Sequence, residues 1–172
     1  ISAGNDAVSL GTAAQAIGDK SFAFGSAEVD SLGNILGAFP TNASGESSFS
    51  IGYGANSNNI GSFSIGNGTV ANGFLSFAIG NQCTADSAFS MAMGRNSHAG
   101  NNHAVALGFQ THSTGKSSFS TGRETQAGGN CATAMGRNAQ AIGNYGFAGG
   151  YWTSANGFAS TAFGNNTNAI GA

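Results

Sequence analysis

Ser48-Phe49-Ser50-Ile51-Gly52, Ser62-Phe63-Ser64-Ile65-Gly66 and Ser76-Phe77-Ala78-Ile79-Gly80 are one phrase written three times at intervals of 14 residues. Small and bulky side chains alternate up to a glycine, and a period of two puts alternate residues on opposite faces of a strand. The phrase returns in looser form at Ala104-Val105-Ala106-Leu107-Gly108. Its glycine recurs at the same interval, without a slip, at Gly52, Gly66, Gly80, Gly94, Gly108, Gly122, Gly136, Gly150 and Gly164, and Gly11 and Gly25 belong to the same series. A fixed period of this kind marks a repeat architecture in which each unit packs on the next.

The rest of the repeat reads as a second, shorter strand. Counting onward from each principal glycine, the third and fifth places are small, as in Thr69 and Ala71, Cys83 and Ala85, Thr125 and Ala127, and Ala139 and Ala141. The place between is usually polar: Gln15, Asn56, His98, His112, Gln126, Gln140. A further glycine often follows at the seventh place, as at Gly18, Gly73, Gly115, Gly129, Gly143, Gly157 and Gly171. Each coil is therefore two short strands and two tight turns, and glycine at both corners is expected to supply the positive φ such turns require. Stacking equivalent strands in parallel gives one all-β domain over 1–172, a β-solenoid of about 11–12 coils and on the order of 55 Å long. The interval from Gly25 to Gly52 is one residue short of two periods and holds the only proline, Pro40, so an irregular coil or excursion is expected at about 26–47.

The column pattern bears on which face is which. One side of the first strand is bulky and the other is Ser, Ala or Gly, while the second strand has a small side and a polar side. Strict smallness in both strands fits a narrow lumen filled by Ala and Ser, which turns the bulky column outward. Phe49, Ile51, Phe63, Ile65, Phe77, Ile79, Met91 and Met93 then form a continuous apolar stripe that needs a partner surface, the expected oligomer interface. The alternative places these side chains in the lumen and makes the chain a self-sufficient monomer.

Composition excludes several classes. Seven acidic and five basic residues leave no basic surface for nucleic acid, and no run of about 18 apolar residues exists to insert into a bilayer. Thirteen phenylalanines at regular spacing argue against disorder despite 29 glycines. The first residue is Ile1, which suggests an excised or processed piece. Cys83 and Cys131 have no metal-ligand spacing and lie too many coils apart to bridge within a chain.

The phrases Ser48-Phe49-Ser50-Ile51-Gly52 and Ala104-Val105-Ala106-Leu107-Gly108, with small residues at alternate places after them and a second glycine, resemble the YadA-like head repeat of bacterial trimeric autotransporter adhesins. The resemblance covers nearly the whole chain outside about 26–47. It implies a left-handed parallel β-roll, three chains packed side by side, and display on the bacterial surface to attach to host matrix proteins, glycans or other cells.

Catalysis has little to work with. Asp6, Asp19, Glu28, Asp30, Glu46, Asp86 and Glu124 are scattered, and none pairs with a histidine and a nucleophile. No cofactor motif is present, and His98 and His112, one period apart, have no third metal ligand. A binding surface is easier to name. The place after the principal glycine reads Arg95, Phe109, Arg123, Arg137 and Tyr151, with Trp152 adjoining. Stacked at turns about 4.8 Å apart, guanidinium groups and rings form a ridge suited to sugar rings or to carboxylate and sulfate groups. Two other readings compete with an adhesin head. A structural filament subunit is suggested by the charge asymmetry: one lysine against six carboxylates in 1–86, four cations against one carboxylate in 87–172. A phage fibre tip would be a variant of the adhesin. Ice binding suffers from the absence of any consistently threonine column.

Overall fold

The computed structural model describes residues 1–25, 30–32, 34, 36 and 39–171. Within them the chain forms 22 strands, the odd-numbered ones running from β1 (Val8–Leu10) to β21 (Thr161–Asn165) and the even-numbered ones from β2 (Ala14–Ala16) to β22 (Asn168–Ala169). The odd strands make one 11-stranded sheet and the even strands another, each in strict chain order. Pairing is parallel, and each residue meets its equivalent one period on: Phe63 with Phe77, Gly66 with Gly80, His98 with His112. The fold is thus the expected all-β parallel solenoid, with 11 strands per sheet setting the coil number. Backbone N–H groups of one coil donate to carbonyls of the next, as Phe63 N does to Ser76 O and Asn56 N to Thr69 O, both at 2.9 Å.

Fourteen residues per coil leave room for a very thin core. Every buried apolar residue among those described is alanine or Cys83, and the buried polar ones are serine and threonine. Ala71, Ala78, Ala85, Ala92, Ala99 and Ala106 belong to one cluster, and Ala127, Ala134, Ala141, Ala148, Ala155 and Ala162 to another. Hydroxyls bridge the two sheets where serine replaces alanine: Ser57 Oγ donates to the Phe49 carbonyl at 2.7 Å and Ser50 Oγ to the Asn42 carbonyl at 2.8 Å. These bonds satisfy groups that would otherwise be orphaned in the lumen. The sheets lie close because nothing larger than threonine separates them, and the bulky column of the odd strands faces outward.

The corners differ from expectation in one respect. At the principal corner the glycines from Gly52 to Gly164 do carry positive φ, from +114° at Gly94 to +135° at Gly108, and Gly11 has +90°, whereas Gly25, at the edge of the irregular interval, does not. A Cβ on Gly108 would also run into the carbonyl oxygen of Gly122 in the next coil, so no other residue fits. At the second corner Gly73, Gly115 and Gly129 do not have positive φ; that angle falls two places later, on Leu75, Ser117 and Cys131. Gly73 is required for space instead, since its Cβ would strike the Ser87 carbonyl. The left-handed residues are held by the stack: Leu75 N donates to Ile60 O at 3.0 Å and Phe89 N to Phe74 O at 2.9 Å, each in the preceding coil.

The irregular stretch expected at about 26–47 includes residues 26–29, 33, 35, 37 and 38, which lie outside the described residues. The coil is regular again from β4 (Thr41–Ala43), where Thr41 pairs with Ala14 and Asn42 with both Gln15 and Asn56. Register is kept across the interval, since β2 pairs with β4 and β3 (Phe22–Gly25) with β5 (Phe49–Tyr53).

Candidate functional site: two outward columns

The outward face of the odd strands carries the apolar stripe. Phe49, Phe63, Phe77 and Met91 occupy one ladder column and Ile51, Ile65, Ile79 and Met93 the next but one. The rings stack nearly plane on plane, with centroids 4.8 Å apart for Phe49–Phe63 and 4.6 Å for Phe63–Phe77. Phe22 extends the stack below Phe49 at 5.0 Å; its phenylalanine lies in the same period but before the irregular interval, where spacing alone does not align it. Neighbouring coils shield much of each ring, so most of the stripe is half-buried, but Phe77 and Phe24 remain 37% and 49% exposed. Toward the end of the chain the columns lose their bulk at Thr121, Thr133, Gly149 and Thr161.

The second column is the arginine and aromatic ridge. Parallel register puts Arg95 beside Phe109, Phe109 beside Arg123, Arg123 beside Arg137, and Arg137 beside Tyr151. These residues end the odd strands; the left-handed turn residue is the one after each, such as Asn96, Glu124 and Trp152. The expected turn position thus belongs one place later, because the ladder continues one residue past the glycine. Phe109 has a guanidinium on either side, Arg95 and Arg123 each 5.5 Å from its ring centre, and Arg137 lies 5.4 Å from that of Tyr151. Trp152 joins edge-on to Tyr151, 6.2 Å between centroids. Arg123 is partly neutralised by its neighbour, its Nε donating to Glu124 Oε1 at 3.1 Å. Arg95 and Arg137 have no carboxylate partner among the described residues.

On the even sheet a row of polar side chains runs along the stack. Asn58 Nδ2 donates to Asn72 Oδ1 at 2.8 Å, Asn72 Nδ2 to Asp86 Oδ1 at 2.7 Å, and Asp86 Oδ2 meets His98 Nε2 at 2.9 Å. His98 and His112 are ladder partners with ring centroids 6.1 Å apart. Partial desolvation, with the nearby His98 adding to it, lowers the His112 pKa from its usual value. Among the described residues no group of three His, Cys, Asp or Glu side chains could hold a metal ion.

Compared with known proteins, the chain matches the family model of the YadA head domain repeat, which spans two copies of the repeat, over residues 2–27, 43–69, 71–97, 88–111 and 127–151. No curated protein matches it. The matched segments take in most of the solenoid on both sides of the irregular stretch and include the stacked phenylalanines and the greater part of the ridge. With its period, its parallel ladders and these matches, the chain belongs to the YadA head domain repeat family.

Proposed function

We propose that this chain is the head of a bacterial surface adhesin: a non-catalytic module, displayed outside the cell, that attaches to host matrix, glycans or other cells. Membership of the YadA head family supports an adhesive role. The observation that carries the reading is the outward column Arg95, Phe109, Arg123, Arg137 and Tyr151, in which cations and rings stand side by side in successive coils. Rings offer a flat apolar face to a sugar, and guanidinium groups pair with carboxylate or sulfate. The stripe from Phe49 to Met93 serves a second purpose. An apolar column of this length is covered by copies of the same chain, and the family's side-by-side trimer is the arrangement that suits it.

Attachment of the protein to surfaces coated with a sulfated or carboxylated polysaccharide tests the ridge. Replacing both Arg123 and Arg137 with serine is expected to abolish attachment and leave the thermal transition unchanged. Undiminished attachment by that double variant removes the ridge from the mechanism.

Charge asymmetry favours one further reading, an extracellular filament of rods stacked end to end, since 1–86 is acidic and 87–172 basic. Electron microscopy of the native material separates the two: short trimeric heads for the adhesin, long fibres for the filament.

A further inference from the structure

The corner that carries the ridge is not uniform along the rod. The place two residues after the principal glycine holds Gln82, Asn96, Gln110, Glu124, Asn138, Trp152 and Asn166 in successive coils, all with φ between 53° and 56°. In the two coils before Gln82 it holds Gly54 and Gly68, with nearly the same backbone at 65° and 60°. Glycine is therefore not required there by conformation, since ordinary side chains accept that angle in every later coil. Its effect is to leave out two side chains. A Cβ on Gly54 would lie 3.2 Å from the Cβ of Phe39, and one on Gly68 3.6 Å from Cγ of Gln82.

The space left is a cavity of about 150 Å³, lined by Phe39, Tyr53, Gly54, Asn67, Gly68 and Gln82. Phe39 comes from the excursion and leans on Tyr53, with ring centroids 5.5 Å apart and planes inclined at 50°. The side-chain amides of Asn67 and Gln82 make no hydrogen bond to the described residues, so their donors and acceptors are open to a ligand. Among the described residues no charged side chain lines the cavity. It is smaller than the roughly 300–1,000 Å³ of sites for drug-sized molecules, which suits one ring of a longer chain.

From the two missing side chains, the aromatic pair and the unengaged amides, we propose that Phe39, Tyr53, Asn67 and Gln82 form a subsite for one neutral pyranose ring. The apolar C–H face of such a ring lies against Phe39 and Tyr53, while its hydroxyls exchange hydrogen bonds with the Asn67 and Gln82 amides. A charged sugar would find no counter-ion among the described residues. Tyr53 and Asn67 stand in the same outward column as Arg95, so a glycan lying along the ridge reaches the cavity at the acidic end of the rod. The proposal rests on the reading of the chain as an adhesive module, but not on the ridge itself.

The test uses the whole ¹⁵N-labelled protein, titrated separately with methyl β-D-galactopyranoside, methyl α-D-mannopyranoside, N-acetyl-D-glucosamine and, as a peptide-like competitor, N-acetylphenylalanine amide. At least one sugar is expected to shift the Asn67 and Gln82 side-chain amide signals saturably, with a dissociation constant on the order of millimolar. Gly68→Gln restores the side chain that later coils carry, so it keeps the fold and is expected to abolish the shifts. Phe39→Ala is expected to weaken binding about tenfold, and the double replacement of Arg123 and Arg137 by serine to leave it unchanged. Absence of saturable shifts with all three sugars, shifts that survive Gly68→Gln, or a response to the phenylalanine amide alone overturns the subsite. Should the sugars fail while the arginine double variant still loses attachment to anionic surfaces, the adhesin reading stands and the subsite falls.

Discussion

The ring of Phe49 lies flat on that of Phe63, with centroids 4.8 Å apart and planes inclined by only 4°. Such a pair arises because the two residues are direct ladder partners on the outward face of one sheet, one coil apart. Its consequence is a division of labour: small residues hold each chain together, and the large ones are available to hold chains to one another. Phe63→Asp is therefore expected to dissociate the proposed oligomer while the solenoid stays folded, because Ser64 and Ala78 beside it still fill the lumen. Sedimentation should show folded monomer, and far-ultraviolet circular dichroism should keep its β signature. Unfolding of the variant would mean that the stripe belongs to the core.

The principal glycines from Gly52 to Gly150 combine a positive φ with no room for a side chain. Gly108→Ala adds a Cβ at φ +135° and drives it toward the Gly122 carbonyl. Strain of that kind costs about 1–3 kcal/mol from the dihedral alone, and the clash adds to it. Urea denaturation should show a loss of at least about 2 kcal/mol; a neutral result would contradict the close stacking of coils at this corner.

Enlarging the lumen should be as costly. Ala106 is fully buried between the sheets, in a column of alanine and serine. Ala106→Leu is expected to destabilise by about 1–3 kcal/mol or more, as overpacked cores do, whereas Leu107→Ala, one residue away on the outward face, should leave the isolated chain nearly as stable. Thermal melts of the two variants, compared under conditions where the chain is monomeric, would reveal the asymmetry.

The cysteines offer a probe that needs no mutation. Cys83 is buried, and burial raises its thiol pKa against the opposing backbone hydrogen bonds, while Cys131 is exposed. A thiolate-directed reagent at pH 7.5 should modify Cys131 promptly and Cys83 only on unfolding. Equal labelling of both in the folded protein would contradict the lumen assignment of Cys83.

Acid should act through His112. Its folded-state pKa lies below the usual 6.5 because the ring is partly desolvated and His98 is close. The unfolded chain thus takes up the proton first, so stability is full above about pH 6.5 and declines as pH falls from there through the folded pKa. The effect is small, since the side chain remains largely open to water. His112→Gln, which copies Gln126 in the next coil, should flatten the melting temperature between pH 7 and 5; an unchanged slope would assign the acid sensitivity to other groups.

The coil is legible in the repeat. A glycine every 14 residues, with period-two alternation before it, admits no helix and puts equivalent residues of successive coils side by side, so the parallel ladders, the coil count and the columns Phe49–Phe63–Phe77 and Arg95–Phe109–Arg123 follow from spacing alone. Restriction to Ala and Ser on one side pointed to a narrow lumen, but a periodic pattern has no sign: it says which residues share a face, not which face meets the other sheet. That sign comes from packing: the two sheets meet so closely that, among the described residues, nothing larger than threonine is buried between them. The tertiary structure also moved the positive φ of the second corner from Gly73 to Leu75, because a hydrogen bond to the preceding coil, at 3.0 Å from Ile60 O, holds a left-handed residue that local propensity would not choose. The meeting of Phe39 with Tyr53 was beyond any repeat argument. Phe39 lies in the excursion, outside the period, and a contact between a periodic residue and a non-periodic one exists only once the chain has folded back on itself.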